Sequence, residues 1–561
     1  MWRAIRDAEG SEESGGWTDT GGLIPPLEQV APVATDLDQF EDAPDSDAED
    51  DRSGSVDARL EDALERVAHG ATVSVPAILL QRGLTLAFTA VLTNAFAAST
   101  YGAFALARRL QRFLLRLTMG FRSGLSRFLP NAESDAERDA LTTFASLLLV
   151  GVATAFGGAL FAAAPLVTEL ADESGQFESF LRIFALGLPA GVWLFTVTEI
   201  LRGIEAVGPL NLTMRVGFPT AQLIAGAVAT YAFHDLALAA AGVLLAMGSV
   251  GVVAALWLAH SRGFRPRIRG ADAGRLRRKY LRFTFPLFVG GFATTTQRLG
   301  FYPLIAVFLS SVAGGVFAVG VLLGTLVRLP LMGINQFIPP VAAALNEEDH
   351  REALKRLYHV TSRLVLVGVT ALSIPVVVYR ETVMGLFGPT YVEYAALVPG
   401  FVLAQYAACA AGSVGILLTM TDHQRALLVV NVGITAFLAV TAIPLTTRFG
   451  LPGLVVSYVL MLTVNNGLEV AVLYYLEGLQ PFTRLHAKPL VAAVPLTLVA
   501  LGVKAAVPGL LAALVGTAAG LVAYAKTLQL LGFTRVERRL GATLVERYRE
   551  VLSKNWESRV A

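Results

Sequence analysis

Two arginines stand inside long apolar stretches of the sequence, and each follows a glutamine. Gln81-Arg82 lies in VSVPAILLQRGLTLAFTAVLTNAF, and Gln297-Arg298 lies in FTFPLFVGGFATTTQRLGFYPLIAVFLS. Both stretches are long enough to cross a hydrocarbon core of about 30 Å. Because an arginine at that depth costs about 2.5–3.5 kcal/mol on insertion scales, it normally faces a water-filled cavity or a partner. Arginine is permanently charged and holds phosphate with a bidentate fork, so the two dipeptides predict a cavity for an anionic substrate.

The two dipeptides are 216 residues apart, and further segments recur at nearly the same interval. GAFALARRLQRFLLRLTMG (102–120) resembles GVFAVGVLLGTLVRLPLMG (315–333), which places Arg116 opposite Arg328. LLLVGVATA likewise parallels LVLVGVTAL, and RVGF parallels NVGI. We predict an internal duplication with six membrane spans in each unit. Because six is even, both units have the same orientation in the membrane, and a substrate path is expected between them.

Other arginines extend this cationic surface. Arg108, Arg109 and Arg112 share a helix face with Arg116 through i, i+3 and i+4 spacing, but the second unit has no counterparts to those three. For Arg116 and Arg328, a topology or packing role near the end of a span is an equal alternative. The residues predicted to bind substrate are Arg82, Arg298, Gln81, Gln297, Arg116, Arg328 and Arg112.

Carboxylates inside the apolar segments are few. Glu469, with Asn465 and Asn466 beside it, is a candidate site for a coupling ion, H⁺ or Na⁺. Glu199 is a second candidate, although pairing with Arg202 three residues on along the helix is the alternative. The histidines fit no metal-ligand spacing, and a single cysteine excludes cysteine zinc sites and iron–sulfur clusters, so no metal or cofactor is predicted.

The composition places most of the chain in a membrane. The 561 residues are 54% hydrophobic and 16% charged, against about 25% charged residues in soluble domains. We predict an all-α membrane protein of about fourteen transmembrane helices, two six-helix lobes related by an internal parallel repeat plus two extra helices. The predicted spans are 72–97, 101–127, 141–165, 180–202, 211–233, 236–259, 283–309, 312–339, 361–380, 392–419, 425–445, 451–476, 487–507 and 509–531.

Loop charges predict the orientation. The loop 261–282 is crowded with arginines and is therefore placed in the cytoplasm, whereas the acidic loop 166–179 falls outside. A nucleic-acid patch is the weaker alternative for the basic loop, because membrane spans flank it. An even number of spans then puts both termini in the cytoplasm, in a multi-pass protein of the plasma membrane.

The charge distribution also divides the chain into segments. Residues 1–62 hold 18 Asp or Glu against 4 Lys or Arg, and this polar start is too poor in apolar residues to build a core. The predicted segments are an acidic disordered cytoplasmic tail (1–56), an amphipathic surface helix (57–70), the N-terminal lobe (71–260), a basic cytoplasmic linker (261–282), the C-terminal lobe (283–480), helices 13 and 14 (481–533) and a cytoplasmic amphipathic helix (534–561).

The segment YGAFALA…FRSGLSRFLP (101–130) resembles the polysaccharide and O-antigen flippases of the MOP (multidrug/oligosaccharidyl-lipid/polysaccharide) exporter superfamily. QFIPPVAAALNEEDHREALKRLYHVTSRLVL is similar to the C-terminal part of that family, and Leu386-Phe387-Gly388 followed by Tyr391 matches its "LFG-Y". The resemblance covers roughly residues 72–530. It implies two six-helix bundles, a cationic central cavity and outward transport of lipid-linked saccharides by alternating access.

Residues and resemblance together predict a flippase rather than an enzyme. Its substrate is expected to be an oligosaccharide linked to a polyprenyl phosphate or pyrophosphate, moved across the plasma membrane for polysaccharide or glycan biosynthesis. Membrane lipids, a coupling H⁺ or Na⁺ and glycan-assembly enzymes are the other expected partners, and nucleic acid is not. The alternative is a drug or cation antiporter of the same superfamily, which needs intramembrane carboxylates for its cationic substrate.

Overall fold

The computed structural model describes residues 76–132, 134–171, 175–266, 273–336, 338–347 and 350–532, and every regular element in these ranges is a helix. The predicted tail 1–56 and the predicted surface helices 57–70 and 534–561 lie outside the described residues, as do positions 267–272 of the linker. Those assignments stay predictions.

The first unit contains eight helices. They are α1 (Pro76–Ala95), α2 (Ala98–Leu117), α3 (Met119–Phe128), α4 (Asp135–Leu170), α5 (Gly175–Leu186), α6 (Leu188–Gly203), α7 (Val207–Phe233) and α8 (Leu236–Arg262). Local sequence explains where several of them begin. The Ser134 hydroxyl accepts the backbone N–H of Glu137 to cap α4, and the Asp235 carboxylate accepts that of Ala237 to cap α8. Within α7, residues 212–217 form a π-helical turn.

The second unit follows after the linker. Its helices are α9 (Ala273–Leu299), α10 (Phe301–Phe308), α11 (Ser311–Val327), α12 (Leu329–Ile334), α13 (Ile338–Glu347), α14 (Arg351–Val378), α15 (Arg380–Gly385), α16 (Pro389–Val392), α17 (Val398–Ala410), α18 (Val414–Met420) and α19 (Gln424–Glu477). Two further helices, α20 (Ala487–Ala506) and α21 (Gly509–Leu531), pack on each other and against α14.

In the described part of the chain, nine helical segments are long and apolar enough to cross a membrane, or ten if the bent pair α5 and α6 is one span. One of these segments, Ala395–Met420, contains α17 and α18. One of the nine, α19, has 54 residues, and a straight helix of that length would measure about 80 Å. At Gly450 its backbone is left-handed (φ 63°), and the chain folds back so that the Leu445 carbonyl lies against Gly453. The α19 segment therefore contains the two predicted spans 425–445 and 451–476.

The three remaining predicted spans are interrupted rather than continuous. Residues 101–127 are divided at Thr118 between α2 and α3, residues 283–309 at Gly300 between α9 and α10, and residues 312–339 at Arg328 between α11 and α12. The helix order is consistent with fourteen crossings, and that number stays a prediction.

The internal duplication is visible in the backbone at sharp turns. Three pairs of residues with positive φ recur at separations of 217, 216 and 215 positions: Glu205 with Asp422, His234 with Gly450, and Gly263 with Gly478. Four of these six are helix C-terminal caps or interhelical turns in which the chain reverses direction. Two of the three pairs join residues of different type. The backbone therefore repeats its turns even at positions where the sequence does not repeat.

Small residues let the two lobes approach closely at both ends. At the end predicted to face outward, Gly102 of α2 lies against the Ser311 carbonyl of α11, and Gly314 lies against Leu106. At the opposite end, Gly120 of α3 lies against the backbone of Phe288 in α9. The Tyr280 hydroxyl donates to the Phe121 carbonyl oxygen there (2.5 Å). Such small-residue contacts are the usual way for helices to pack tightly within a membrane.

An arginine cluster between the two lobes

The dipeptide on α1 sends its two side chains to different lobes. Gln81 Nε2 donates to the Met214 carbonyl oxygen in the π-helical turn of α7 (3.4 Å), which ties α1 to its own lobe. Arg82 Nη2 lies 3.4 Å from Met332 Sδ in α12, which belongs to the second lobe. The Arg82 guanidinium is also within electrostatic range of Arg109 and Arg328. The structure thus places Arg82 at the interface between the lobes.

The neighbouring arginines of α2 diverge, because adjacent residues on a helix point about 100° apart. Arg109 crosses to the second lobe, with its guanidinium 4.8 Å from the ring centroid of Tyr302 in α10. Arg108 turns into its own lobe, where Nη2 donates to Gln222 Oε1 (2.6 Å) and the guanidinium lies 5.0 Å from the Phe88 ring centroid. Arg108 is therefore a packing residue of the first lobe, and Arg109 belongs to the interface.

Arg112 and Arg328 complete the group. Arg112 is within electrostatic range of Arg108, Arg109 and Tyr302. Arg328 is half-buried at the break between α11 and α12, and its guanidinium is within electrostatic range of Tyr458 and Cys409 of the second lobe. We call Arg82, Arg109, Arg112 and Arg328 the arginine cluster.

Arg116 lies in the last turn of α2, which matches the position of Arg328 immediately after α11. Its charged neighbour is Arg122 of α3, whose guanidinium lies over the Phe195 ring (4.9 Å). The structure does not bring Arg116 to Arg82. The duplicated arginines thus occupy equivalent places in the chain but different surroundings.

Gln297 and Arg298 occupy the last turn of α9, and their side chains lie outside the described residues. Their predicted contact with substrate therefore stays a prediction.

The arginine cluster has no counter-ion in the described part of the molecule: none of its four guanidinium groups forms an ion pair there. Only two carboxylate residues are buried in the same ranges, Asp139 beside Arg138 and Glu469 in α19. Like charges this close repel each other, and burial removes much of the water that would screen them. An anion bound at the arginine cluster would therefore relieve this repulsion.

Glu199 and Glu469 differ in their surroundings. Glu199 accepts from Arg202 (2.8 Å) and from the Ser126 hydroxyl (2.9 Å), so it has the pairing along the helix that was the alternative to an ion site. Glu469 is buried and accepts from Asn465 Nδ2 (2.7 Å), close to Gly415 of α18. Asn466 instead donates to the Leu462 carbonyl oxygen of its own helix.

Sequence reasoning missed two interface residues. Tyr302 is buried under Arg109, and the signal for it was its place between Gly300 and Pro303, which marks a helix break inside an apolar stretch. Arg215, in the π-helical turn, bridges the lobes through Gln336 (Nη2 to Oε1, 3.2 Å). The sequence pattern identifies RVGF only as part of the repeat, although π turns occur often at functional sites.

No protein-family model and no curated protein sequence matches the chain. Solved structures do match it. The lipid II flippase MurJ in an inward closed conformation has a TM-score of 0.67 and 10% identity, covering 81% of this chain and 97% of that one. An inward-facing multidrug resistance MATE family transporter of the MOP superfamily has a TM-score of 0.62 and 15% identity, over 73% of this chain and 98% of that one.

A third similar structure is a MOP superfamily transporter from Pyrococcus furiosus, whose binding pocket is described as having reverse polarity (TM-score 0.55, 16% identity, 75% of this chain and 96% of that one). At these identities the likeness shows the fold. The predicted fold class is confirmed, and this multi-pass membrane protein has the helical fold of the MOP superfamily transporters.

Proposed function

We propose that this protein is a flippase of the polysaccharide exporter type. It moves an oligosaccharide linked to a polyprenyl phosphate or pyrophosphate from the inner to the outer leaflet of the plasma membrane, by alternating access, for polysaccharide or glycan biosynthesis. The observation that carries the proposal is the arginine cluster between the lobes, which has no described counter-ion. A phosphate or pyrophosphate supplies the missing negative charge.

The contacts that the cluster makes now are weak enough to be exchanged for substrate. Arg82 touches a thioether sulfur, and Arg109 lies over an aromatic ring. A cation–π contact is worth about 0.5–2 kcal/mol, and a thioether is a weak acceptor. Hydrogen bonds between guanidinium and phosphate are charge-assisted and about twice as strong as neutral ones. The saccharide–phosphate headgroup would therefore replace these contacts while its lipid tail stays in the bilayer.

The proposal is tested in proteoliposomes that hold the purified protein and a fluorescent polyprenyl pyrophosphate-linked oligosaccharide. We expect the protein to expose the saccharide to a lectin on the opposite side of the membrane, faster than protein-free liposomes do. A protein that leaves the saccharide on its original side but drives efflux of a cationic dye would contradict the flippase and support the alternative, a drug or cation antiporter. The buried carboxylate of Glu469 is the one observation that favours this alternative.

Glu469 provides a separate prediction about energy coupling. If its carboxylate binds the coupling H⁺ or Na⁺, Glu469→Gln keeps the hydrogen-bonding shape and removes the charge. We expect transport by this variant to lose its dependence on an imposed H⁺ or Na⁺ gradient. Glu393→Gln, at an exposed position between α16 and α17, is the matched control and should respond as the parent does. An unchanged gradient response in Glu469→Gln would remove this residue from the coupling mechanism.

Orientation is tested by labelling single cysteines. Cys409 is buried and is the only cysteine, so Cys409→Ala gives a clean background. In intact cells, Gln176→Cys at the start of α5 should react with a membrane-impermeant maleimide, and Ser261→Cys near the end of α8 should react only after permeabilisation. Both positions are exposed. Labelling of Ser261→Cys from outside would invert the proposed topology.

A further inference from the structure

A groove lies between the end of α3 and the beginning of α9, away from the arginine cluster. It has a volume of about 670 Å³, and five cations line it: Arg127, Arg275, Arg278, Lys279 and Arg282. Arg127 comes from α3 of the first lobe, and the other four come from the first ten residues of α9, which lie within the predicted linker 261–282. Positions 275, 278, 279 and 282 share one face of α9 through i, i+3 and i+4 spacing, so the helix presents its charges together to the groove.

None of these five cations forms an ion pair with another residue in the described ranges. Two of them lie against aromatic rings of the facing helix instead. The Arg127 guanidinium is 4.3 Å from the Phe283 ring centroid, and Lys279 Nζ is 5.5 Å from that of Phe128. Phe128 and Phe283 also line the groove. Each cation–π pair joins α3 to α9, so the groove exists only while the two lobes are in contact here.

The sequence places the groove at the edge of the membrane, where lipid headgroups lie. Phe283 begins the apolar stretch of α9 and α10, and the charged residues precede it by one to eight positions, which is at most about 12 Å of helix. A ligand in the groove would thus have cations around one end and apolar side chains and hydrocarbon at the other. An amphipathic anion fits such a site, and basic pockets between spans are known to hold phosphate headgroups of lipids.

We propose that this groove binds the phosphate headgroup of a membrane lipid and that the bound lipid stabilises the contact between α3 and α9. None of the residues that line this site belongs to the arginine cluster, and the proposal does not depend on the proposed function. Two lipids carry the required chemistry, an anionic phospholipid such as phosphatidylglycerol and a polyprenyl phosphate. Because the ligand touches both lobes, it favours the arrangement in which they meet at this end.

The test measures lipid binding to the purified full-length protein in a neutral detergent at physiological ionic strength, by microscale thermophoresis. The probes are dioctanoyl phosphatidylglycerol, dioctanoyl phosphatidylcholine, a short-chain polyprenyl phosphate and inorganic phosphate. The groove variant is Arg278→Gln/Arg282→Gln. The matched control is Arg262→Gln/Arg265→Gln, which removes the same charge from exposed positions beyond the groove.

We expect phosphatidylglycerol or the polyprenyl phosphate to bind the parent protein at least about tenfold more tightly than phosphatidylcholine and inorganic phosphate, and the groove variant to lose about tenfold or more of that affinity. The control should stay within about twofold of the parent, because an exposed, solvent-screened charge contributes little. The better of the two phosphate lipids identifies the natural source of the headgroup.

Three results would overturn the proposal. One is equal binding of phosphatidylglycerol, polyprenyl phosphate and phosphatidylcholine. The second is an equal loss in both double variants, which would assign the affinity to overall charge. The third is a protein that binds either lipid only after deletion of residues 1–56, which would show that the acidic tail of the chain occupies the groove.

Discussion

Replacing Arg82 with alanine is expected to lower export of the lipid-linked saccharide about tenfold or more while leaving the protein in the membrane. Arg82 reaches from α1 to a thioether of the second lobe, and it interacts with the charges of Arg109 and Arg328 but with no described acid. Losing a charge-assisted hydrogen bond to phosphate costs about 1.5–3 kcal/mol, and each 1.4 kcal/mol is a factor of ten. Removing a charge from a span should ease insertion, so low abundance is not the expected cause.

A series of substitutions at Arg82 distinguishes a role in binding the substrate from a role in packing. Arg82→Lys keeps the charge and loses the fork, so we expect export between that of the parent and that of Arg82→Ala. Arg82→Glu should abolish export by repelling the phosphate. The same series at Arg298 tests the duplicated position. Arg448→Ala, an exposed arginine of α19, is the matched control and should export normally. Export is measured per unit of membrane protein, and normal export by Arg82→Ala and Arg298→Ala would refute an arginine-bound substrate.

The sequence was sufficient for the architecture because membrane thickness dictates the length of each apolar segment. Helix order, the paired lobes and the two extra helices follow from that regularity, and the turn at Gly450 lies at the predicted boundary between the spans 425–445 and 451–476. The breaks between helices within a single span were harder to predict from the sequence. Pro330 near the start of α12 gives a local reason for the break at Arg328, whereas Thr118 and Met119 give none. After the break between α2 and α3, α3 packs against α9, a contact that hydropathy does not record.

The sequence predicts which charged residues contribute to the candidate site, but not which neighbour each side chain contacts. Arg82 was a candidate because arginine is rare in apolar stretches, whereas Arg109 was considered only because it shares a helix face with Arg112 and Arg116. Arg108 was grouped with them, yet it is bound to Gln222 inside the first lobe, 114 positions away in sequence. The pairing of Arg109 with Tyr302 likewise joins two lobes. Helical spacing tells which residues share a face, but the neighbour of that face is decided by tertiary packing.

A larger side chain at Gly102 is expected to separate the lobes at the outward end and to lower export about tenfold or more. A Cβ atom added at Gly102 would overlap the Ser311 carbonyl group. The same two helices are also close at Gly315 of α11, where an added Cβ atom would lie 3.3 Å from the Cα atom of Gly102. A side chain can relieve a clash by changing its rotamer, but a helix backbone cannot, so the two helices must move apart. Overpacking costs about 1–3 kcal/mol, enough to shift a two-state equilibrium about tenfold.

In a transporter that alternates between two arrangements, this strain is relieved when the outward end opens. Gly102→Leu should therefore populate the open arrangement rather than unfold the protein. A reporter cysteine at Ala313, which is buried in α11, should be labelled from outside about tenfold faster in the Gly102→Leu, Cys409→Ala background. Gly151→Leu in α4, an exposed glycine with open space around its Cβ position, is the control and should match the parent in labelling and export. A reporter that stays protected in Gly102→Leu, with normal export, would mean that the outward end does not need this contact to close.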